Sequence, residues 1–174
     1  MTLRKIITEP NRILRQKSLN VKSVGKEEQK LMDDMLETMY HANGIGLAAI
    51  QIGIPKRIIV MDISKKEEEK NPMFFVNPVV KNKNPQLSIY EEGCLSVPNY
   101  FAEVERPKKC DVEYLDYNGN KQLLKAEGLF ATCIQHEMDH LEGILFIDYL
   151  SKLKKTMIIK KLSKQKVKPD RIIV

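Results

Sequence analysis

The stretch QHEMDHLEG, Gln135–Gly143, sets the frame for the rest of the chain. His136 and His140 are four residues apart. On a helix that spacing puts both imidazoles on one face, where a single ion can meet them. Glu137 is turned by about 100° from His136, so it borders such a site without being forced to ligate. In an HExxH arrangement the glutamate serves as general base toward a water polarised by the metal. The surrounding residues extend the helix. Leu129, Phe130, Cys133, Ile134, Met138 and Leu141 recur at helical spacing, and Gly143 is a suitable stop. The spacing predicts a helix over 127–142. The competing reading is a surface helix with two solvated histidines.

Three protein ligands and one open position are usual for a catalytic metal, so a third ligand is sought. The extended pattern HExxHxxGxxH is met at Gly143 but fails at Phe146, which cannot bind a metal. The acids after His140 are Glu142, Asp148 and Asp170, none suited to the downstream-glutamate pattern. Both mismatches argue against an endopeptidase built on this motif. His41 ends an earlier helical stretch and reads as a helix-terminal residue. Cys110 lies in an alternating strand and Cys133 on the apolar helix face, so both read as small buried hydrophobes. Cys94 differs: it sits in EEGCLSVP, Glu91–Pro98, with glycine before it and proline after. Cys94 is therefore assigned as third ligand, giving one cysteine and two histidines with an open fourth position.

A third segment, GIGLAAIQ, spans Gly44–Gln51. It reads either as a helix cap followed by core, or as a loop that brings backbone N–H groups and the Gln51 amide close to a substrate carbonyl. Around these segments the pattern predicts further elements. Leu31, Met32, Met35, Leu36, Met39 and Tyr40 form a helical stripe over 26–43, with Asn43-Gly44 as its stop. RIIVMDI (57–63), FFVNPVV (74–80) and CDVEYLDY (110–117) read as strands, the last meeting the hairpin signal Asn118-Gly119. KKEEEKNP (65–72) reads as an exposed loop. A last helix is expected over 149–167. The fold class that follows is α+β: one domain over residues 1–174, mixed or antiparallel strands around a central HExxH helix, helices at both ends, and a basic C-terminal helix and tail over about 149–174.

The chain has 174 residues, 43% of them hydrophobic and 30% charged, which suits a globular domain with a real core. No apolar run is long enough for a membrane span, and the N-terminal residues lack the pattern of a secretory signal. Three cysteines do not make a disulfide framework and point to a reducing compartment, hence the cytoplasm. The net charge of +6 is uneven: Lys152 to Arg171 carries nine basic residues and one acid, and the remainder is near neutral at −2. Basicity confined to one end suggests an anionic partner for the tail, not an anionic substrate.

Taken together, GIGLAAIQ (Gly44–Gln51), EGCLSVP (Glu92–Pro98) and QHEMDH (Gln135–His140) resemble the three motifs of the peptide deformylases, in that family's order and spacing. The resemblance spans the chain up to about Tyr149. It implies a metal-dependent hydrolase that removes formyl from the N-terminal formyl-methionine of new proteins and releases formate. It implies Cys94, His136 and His140 as metal ligands and Glu137 as acid and base. It places Gln51 and the Leu95 N–H at the formyl oxygen. It assigns Ile45, Gly46 and Gly93 to the peptide backbone, and Tyr90, Leu129 and Cys133 to the methionine pocket. The implied ion is Fe(II), with Zn(II) or Ni(II) able to substitute. The implied partners are formyl-Met nascent peptides and, through the basic tail, the ribosome. Many members carry an arginine seven residues after the cysteine ligand. Here Phe101 stands there, while Arg106 keeps the register of a later family arginine.

Overall fold

The architecture is taken from a computed structural model, which describes residues 2–64 and 69–165. An extended N-terminal arm with one short helical turn at Arg12–Arg15 leads into α1 (Lys26–His41). The strands β1 (Gly46–Ala48), β2 (Ile58–Met61), β3 (Met73–Lys83), β4 (Leu87–Cys94), β5 (Val97–Pro107), β6 (Lys109–Leu115) and β7 (Lys121–Glu127) follow, then α2 (Gly128–Leu141) and α3 (Lys152–Gln165). Five strands form one antiparallel sheet in the order β1-β2-β3-β6-β7, and β4 pairs with β5 in a separate two-stranded hairpin. The expected α+β class and the central HExxH helix are both present. No helix among the described residues is long and apolar enough to cross a membrane.

The period-2 alternation of β2 explains how the sheet is filled on both sides. Ile59 and Met61 face α2 and join Ala48, Phe75, Val112, Ile134 and Leu141 in one core cluster. Ile58 and Val60 face the other way and pack with Leu47, Val76 and the α1 stripe Met32, Met35 and Met39. All four β2 residues are buried, as a strand covered on both faces must be. A third cluster, built on Val97, Val104, Phe146, Ile147 and Leu162, lies under the β4–β5 hairpin and α3.

Helix ends follow the residues read as stops. Asn43 adopts a left-handed φ of 55°, and the Gly44 N–H returns to the Met39 carbonyl at 2.9 Å. Gly143 ends α2 with φ 75°. A Cβ there would lie 2.5 Å from the Arg15 carbonyl oxygen, so the helix end and the N-terminal arm can meet only at glycine. Asn118-Gly119 does close a hairpin, β6–β7, through the longer loop Asp116–Asn120. The last helix is shorter at its start than expected, and the end expected at Val167 lies outside the described residues, as do residues 65–68 of the charged loop and the tail from 166 onward. The structure adds β1, β4, β5 and β7, which the pattern did not single out.

Candidate active site

α2 carries His136, Glu137 and His140 into the interior, at 8%, 4% and 0% exposure, so they are not the solvated histidines of a surface helix. The two imidazoles stand nearly perpendicular, with centroids 5.0 Å apart. Cys94, at the end of β4, places its Sγ 3.3 Å from His140 Nε2. A register shift aims it there. Gly93 pairs with Phe101, but the next residue, Cys94, pairs with Val97, so Pro98, Asn99 and Tyr100 bulge out of the ladder. The ligand atoms of Cys94, His136 and His140 all lie within 4.8 Å of one another. His41 ends α1 exposed and outside this group, and Cys110 is core.

The electrostatics of the cluster suit a cation. Burial alone would keep His136 neutral, yet the facing Cys94 and Glu92 outweigh it and raise its pKa well above the usual value. The same Glu92 and Cys94 that favour a charged His136 favour a cation beside it. Burial, aided by His136, pushes His140 well below its usual value, so it is the neutral imidazole that a metal requires. His140 Nδ1 and Glu137 Oε2 are buried without a hydrogen-bond partner. A thiolate with two imidazoles suits Fe(II), Zn(II) or Ni(II), so the residues present fit a resident ion.

Glu137 faces the first motif. A Cβ on Gly46 would fall 2.4 Å from Glu137 Oε1, so the carboxylate rests against bare backbone. Burial, with Glu92 nearby and His136 acting in the opposite sense, raises the Glu137 carboxyl to about 7. Gln51 is buried at the turn after β1. Its Oε1 accepts from the Ala48 N–H at 2.8 Å, which turns Nε2 toward Ser96 Oγ at 3.1 Å and Cys94 Sγ at 3.6 Å. Leu47 to Ile50 are buried, in line with the core reading of GIGLAAIQ, while Gly44 and Gly46 bring its backbone against the other two motifs.

Behind the cluster lies a network that motif reading did not find. Glu92 accepts from His136 Nδ1 at 2.8 Å, which leaves Nε2 available. Arg106, 4% exposed, donates through Nε and Nη2 to Glu92 and through Nη1 to Asp139 at 2.8 Å. The Tyr149 hydroxyl donates to the same Asp139 oxygen at 2.8 Å. Burial would raise the Glu92 carboxyl, but His136 and Arg106 outweigh it and hold it below the usual range.

One cavity of about 510 Å³ gathers the expected site residues: Ile45, Gly46, Gln51, Tyr90, Gly93, Cys94, Leu95, Leu129, Cys133, His136 and Glu137 all line it. His140 lies just behind, against Cys94. Phe101, 67% exposed, stands at the mouth.

Residues 3–156 match the polypeptide deformylase family. The chain belongs to that family. A peptide deformylase of Pelagibacter ubique is 73% identical over the full length of both chains. The crystal structure of peptide deformylase from Ehrlichia chaffeensis in complex with actinonin superposes with a TM-score of 0.92 at 42% identity, covering 97% of this chain and 100% of that one. The Met-Ala-Ser-bound class I type b peptide deformylase of Acinetobacter baumannii gives a TM-score of 0.81 at 32% identity, over 86% and 99%. The family consists of metal-dependent enzymes that remove the N-terminal formyl group from nascent peptides.

Proposed function

We propose that Cys94, His136 and His140 hold one divalent ion, Fe(II) in the native protein with Zn(II) or Ni(II) able to substitute, and that Glu137 is the acid and base of formyl-methionine hydrolysis. When bound, the ion supplies Lewis acidity toward the formyl oxygen and toward water. Glu137 accepts a proton from the attacking water as it adds to the formyl carbon. It then gives that proton to the leaving amine nitrogen as the C–N bond breaks, releasing formate. Gln51 Nε2 and the Leu95 N–H donate to the formyl oxygen as charge develops. Ile45, Gly46 and Gly93 align the peptide backbone, and Tyr90, Leu129 and Cys133 surround the methionine side chain. Glu92, itself fixed by Arg106, orients His136. A formyl carbon carries only hydrogen, so a tight site rejects larger acyl groups by size.

What supports this reading above all is the gathering of three ligand atoms within 4.8 Å of one another beside a cavity that Cys94, His136 and Glu137 line, with a Glu137 oxygen buried and without a hydrogen-bond partner. The test is formate release from formyl-Met-Ala-Ser by anaerobically purified protein, with metal analysis. Turnover with about one ion per chain is expected. Absence of turnover in the metal-loaded protein overturns the reading.

The catalytic domain is read as single and cytoplasmic, and its basic C-terminal helix as a ribosome contact. Lys160 and Lys164, one helical turn apart on α3, lie on the face opposite the buried Leu162. Phosphate binding by such a face weakens steeply with salt. Cosedimentation with bacterial ribosomes at low and moderate salt, compared with Lys160→Glu/Lys164→Glu, tests it; equal sedimentation of both proteins overturns it.

A further inference from the structure

The substrate proposed above is a polypeptide, so the chain beyond the first residues must leave the cavity and lie somewhere on the surface. Phe101 lines the cavity and also a second groove of about 490 Å³ between β5 and α3, and among the described residues is the only one the two share. Its ring lies over Gly93, where a Cβ would meet Cε1 at 2.5 Å, so no side chain of β4 stands between them. The groove beyond is walled by Tyr100, Leu150, Met157 and Ile158. Met157 is 48% exposed, a large apolar surface left open to an occupant.

The backbone adds a second reason. β5 pairs with β4 on one side and has no strand partner on the other among the described residues. An unpaired strand edge is ready to bond with an extended chain. The charges at the lips are mixed, Lys154 and Lys161 against Glu103, so net charge does not select the occupant. Backbone pairing and apolar side chains remain. Reach is also satisfied: crossing a two-stranded hairpin is roughly 10 Å, which about three extended residues span.

We propose that the substrate chain leaves the cavity across Phe101 and that its residues from about the fifth onward lie in the β5–α3 groove, so that α3 is part of the substrate-binding surface. The inference rests on the deformylation reading. In the groove α3 contributes Lys154, Met157, Ile158 and Lys161, while Lys160 and Lys164 are not among its lining residues.

The experiment compares formyl-Met-Ala-Ser with two nine-residue formyl peptides that begin with the same three residues. One carries leucine at its sixth and eighth positions and the other serine. The leucine peptide is expected to show a KM about 3- to 10-fold lower than the serine peptide, as partial burial of one or two apolar side chains implies. In Met157→Glu that advantage should vanish, while turnover of formyl-Met-Ala-Ser stays at the parent level and reports that the protein is folded. A photoreactive leucine analogue at the sixth position should crosslink to α3. Equal KM values for the two nonapeptides, or an advantage that survives in Met157→Glu, overturn this inference alone. Absence of turnover of the tripeptide overturns the deformylation reading and this inference with it.

Discussion

Gly46 and Glu137 are in contact across two motifs: the glutamate carboxylate occupies the space that any side chain at residue 46 would fill, 2.4 Å from the ideal Cβ position. The sheet edge thereby sets where the proposed proton-transfer group stands. Gly46→Ala should displace the carboxylate and lower kcat at least ~10-fold, a fraction of what a general acid–base contributes. Glu137→Gln should lower it ~10²-fold or more. Both should keep their metal, since neither residue is a proposed ligand. Metal analysis beside formate-release kinetics checks this, and a Gly46→Ala enzyme with parental kcat would show that the contact is incidental.

The three cysteines have separable roles. Cys94→Ala should lose metal and activity together. Cys110→Ala and Cys133→Ala should retain metal, because Cys110 lies in the sheet core and the Cys133 sulfur sits 4.0 Å from the Ile45 carbonyl oxygen. Plasma emission spectrometry on the three purified variants decides the matter. Full occupancy in Cys94→Ala would remove it from the ligand set.

The parts of this arrangement that were legible in the sequence are those encoded locally. The α2 helix was bounded within a residue at each end because its apolar period and Gly143 are both in the segment itself. Cys94 could be assigned as a candidate ligand by chemistry and elimination, but its approach to His140 could not be read. That approach depends on the bulge at Pro98–Tyr100, a property of strand register. β4 and β5 escaped because their outer face mixes Leu87, Ile89 and Glu91 with Phe101, Glu103 and Glu105, which blurs any apolar alternation. The Glu92–Arg106–Asp139–Tyr149 network was invisible for a different reason. Its members come from β4, β5, α2 and the turn before α3, and only burial distinguishes them from ordinary surface charges. Arg106 alone gave a signal, through its register with a family arginine.

Ser96 and Gln51 provide a graded test. Gln51→Ala removes a proposed donor to the formyl oxygen and should lower kcat ~10²-fold or more. Ser96→Ala removes only the hydroxyl, 3.1 Å away, that receives one of the amide protons. It should lower kcat by a smaller factor, ~3- to 10-fold, for one lost neutral hydrogen bond, with KM for formyl-Met-Ala-Ser little changed. If Gln51→Ala raises only KM, the amide binds substrate and does not stabilise the transition state.

The N-terminal arm joins the backs of the motifs. The Ile7 N–H donates to the Gln51 carbonyl at 2.7 Å, the Glu9 N–H to the Ser96 carbonyl at 2.9 Å, and the Ser18 N–H to the Leu141 carbonyl at 2.8 Å. The arm is anchored to α1 by Asp34, whose buried carboxylate accepts from the Thr2 N–H at 2.8 Å, from Arg4 Nε and Nη2, and from Lys30 Nζ. Burial pushes this carboxyl up, but Thr2, Arg4 and Lys30 outweigh it and lower it from 3.8 to about 2. A depressed folded-state pKa stabilises the protein above the unfolded value, and the stabilisation is lost as pH falls through the folded one. The gap corresponds to ~1–2 kcal/mol once the solvent exposure of Arg4 is allowed for. Asp34→Asn should therefore be less stable than the parent by about that amount at pH 6, with the difference shrinking between pH 4 and pH 2. Urea unfolding of the two proteins across this range measures it. A difference that stays constant down to pH 2 would mean that the anchor works through packing and not through charge. The variant's kcat at pH 7 reads the other consequence. If the arm holds Gln51 and Ser96 in place, loosening its first anchor lowers kcat by a few-fold; if Ile7 and Glu9 suffice, kcat is unchanged and only stability falls.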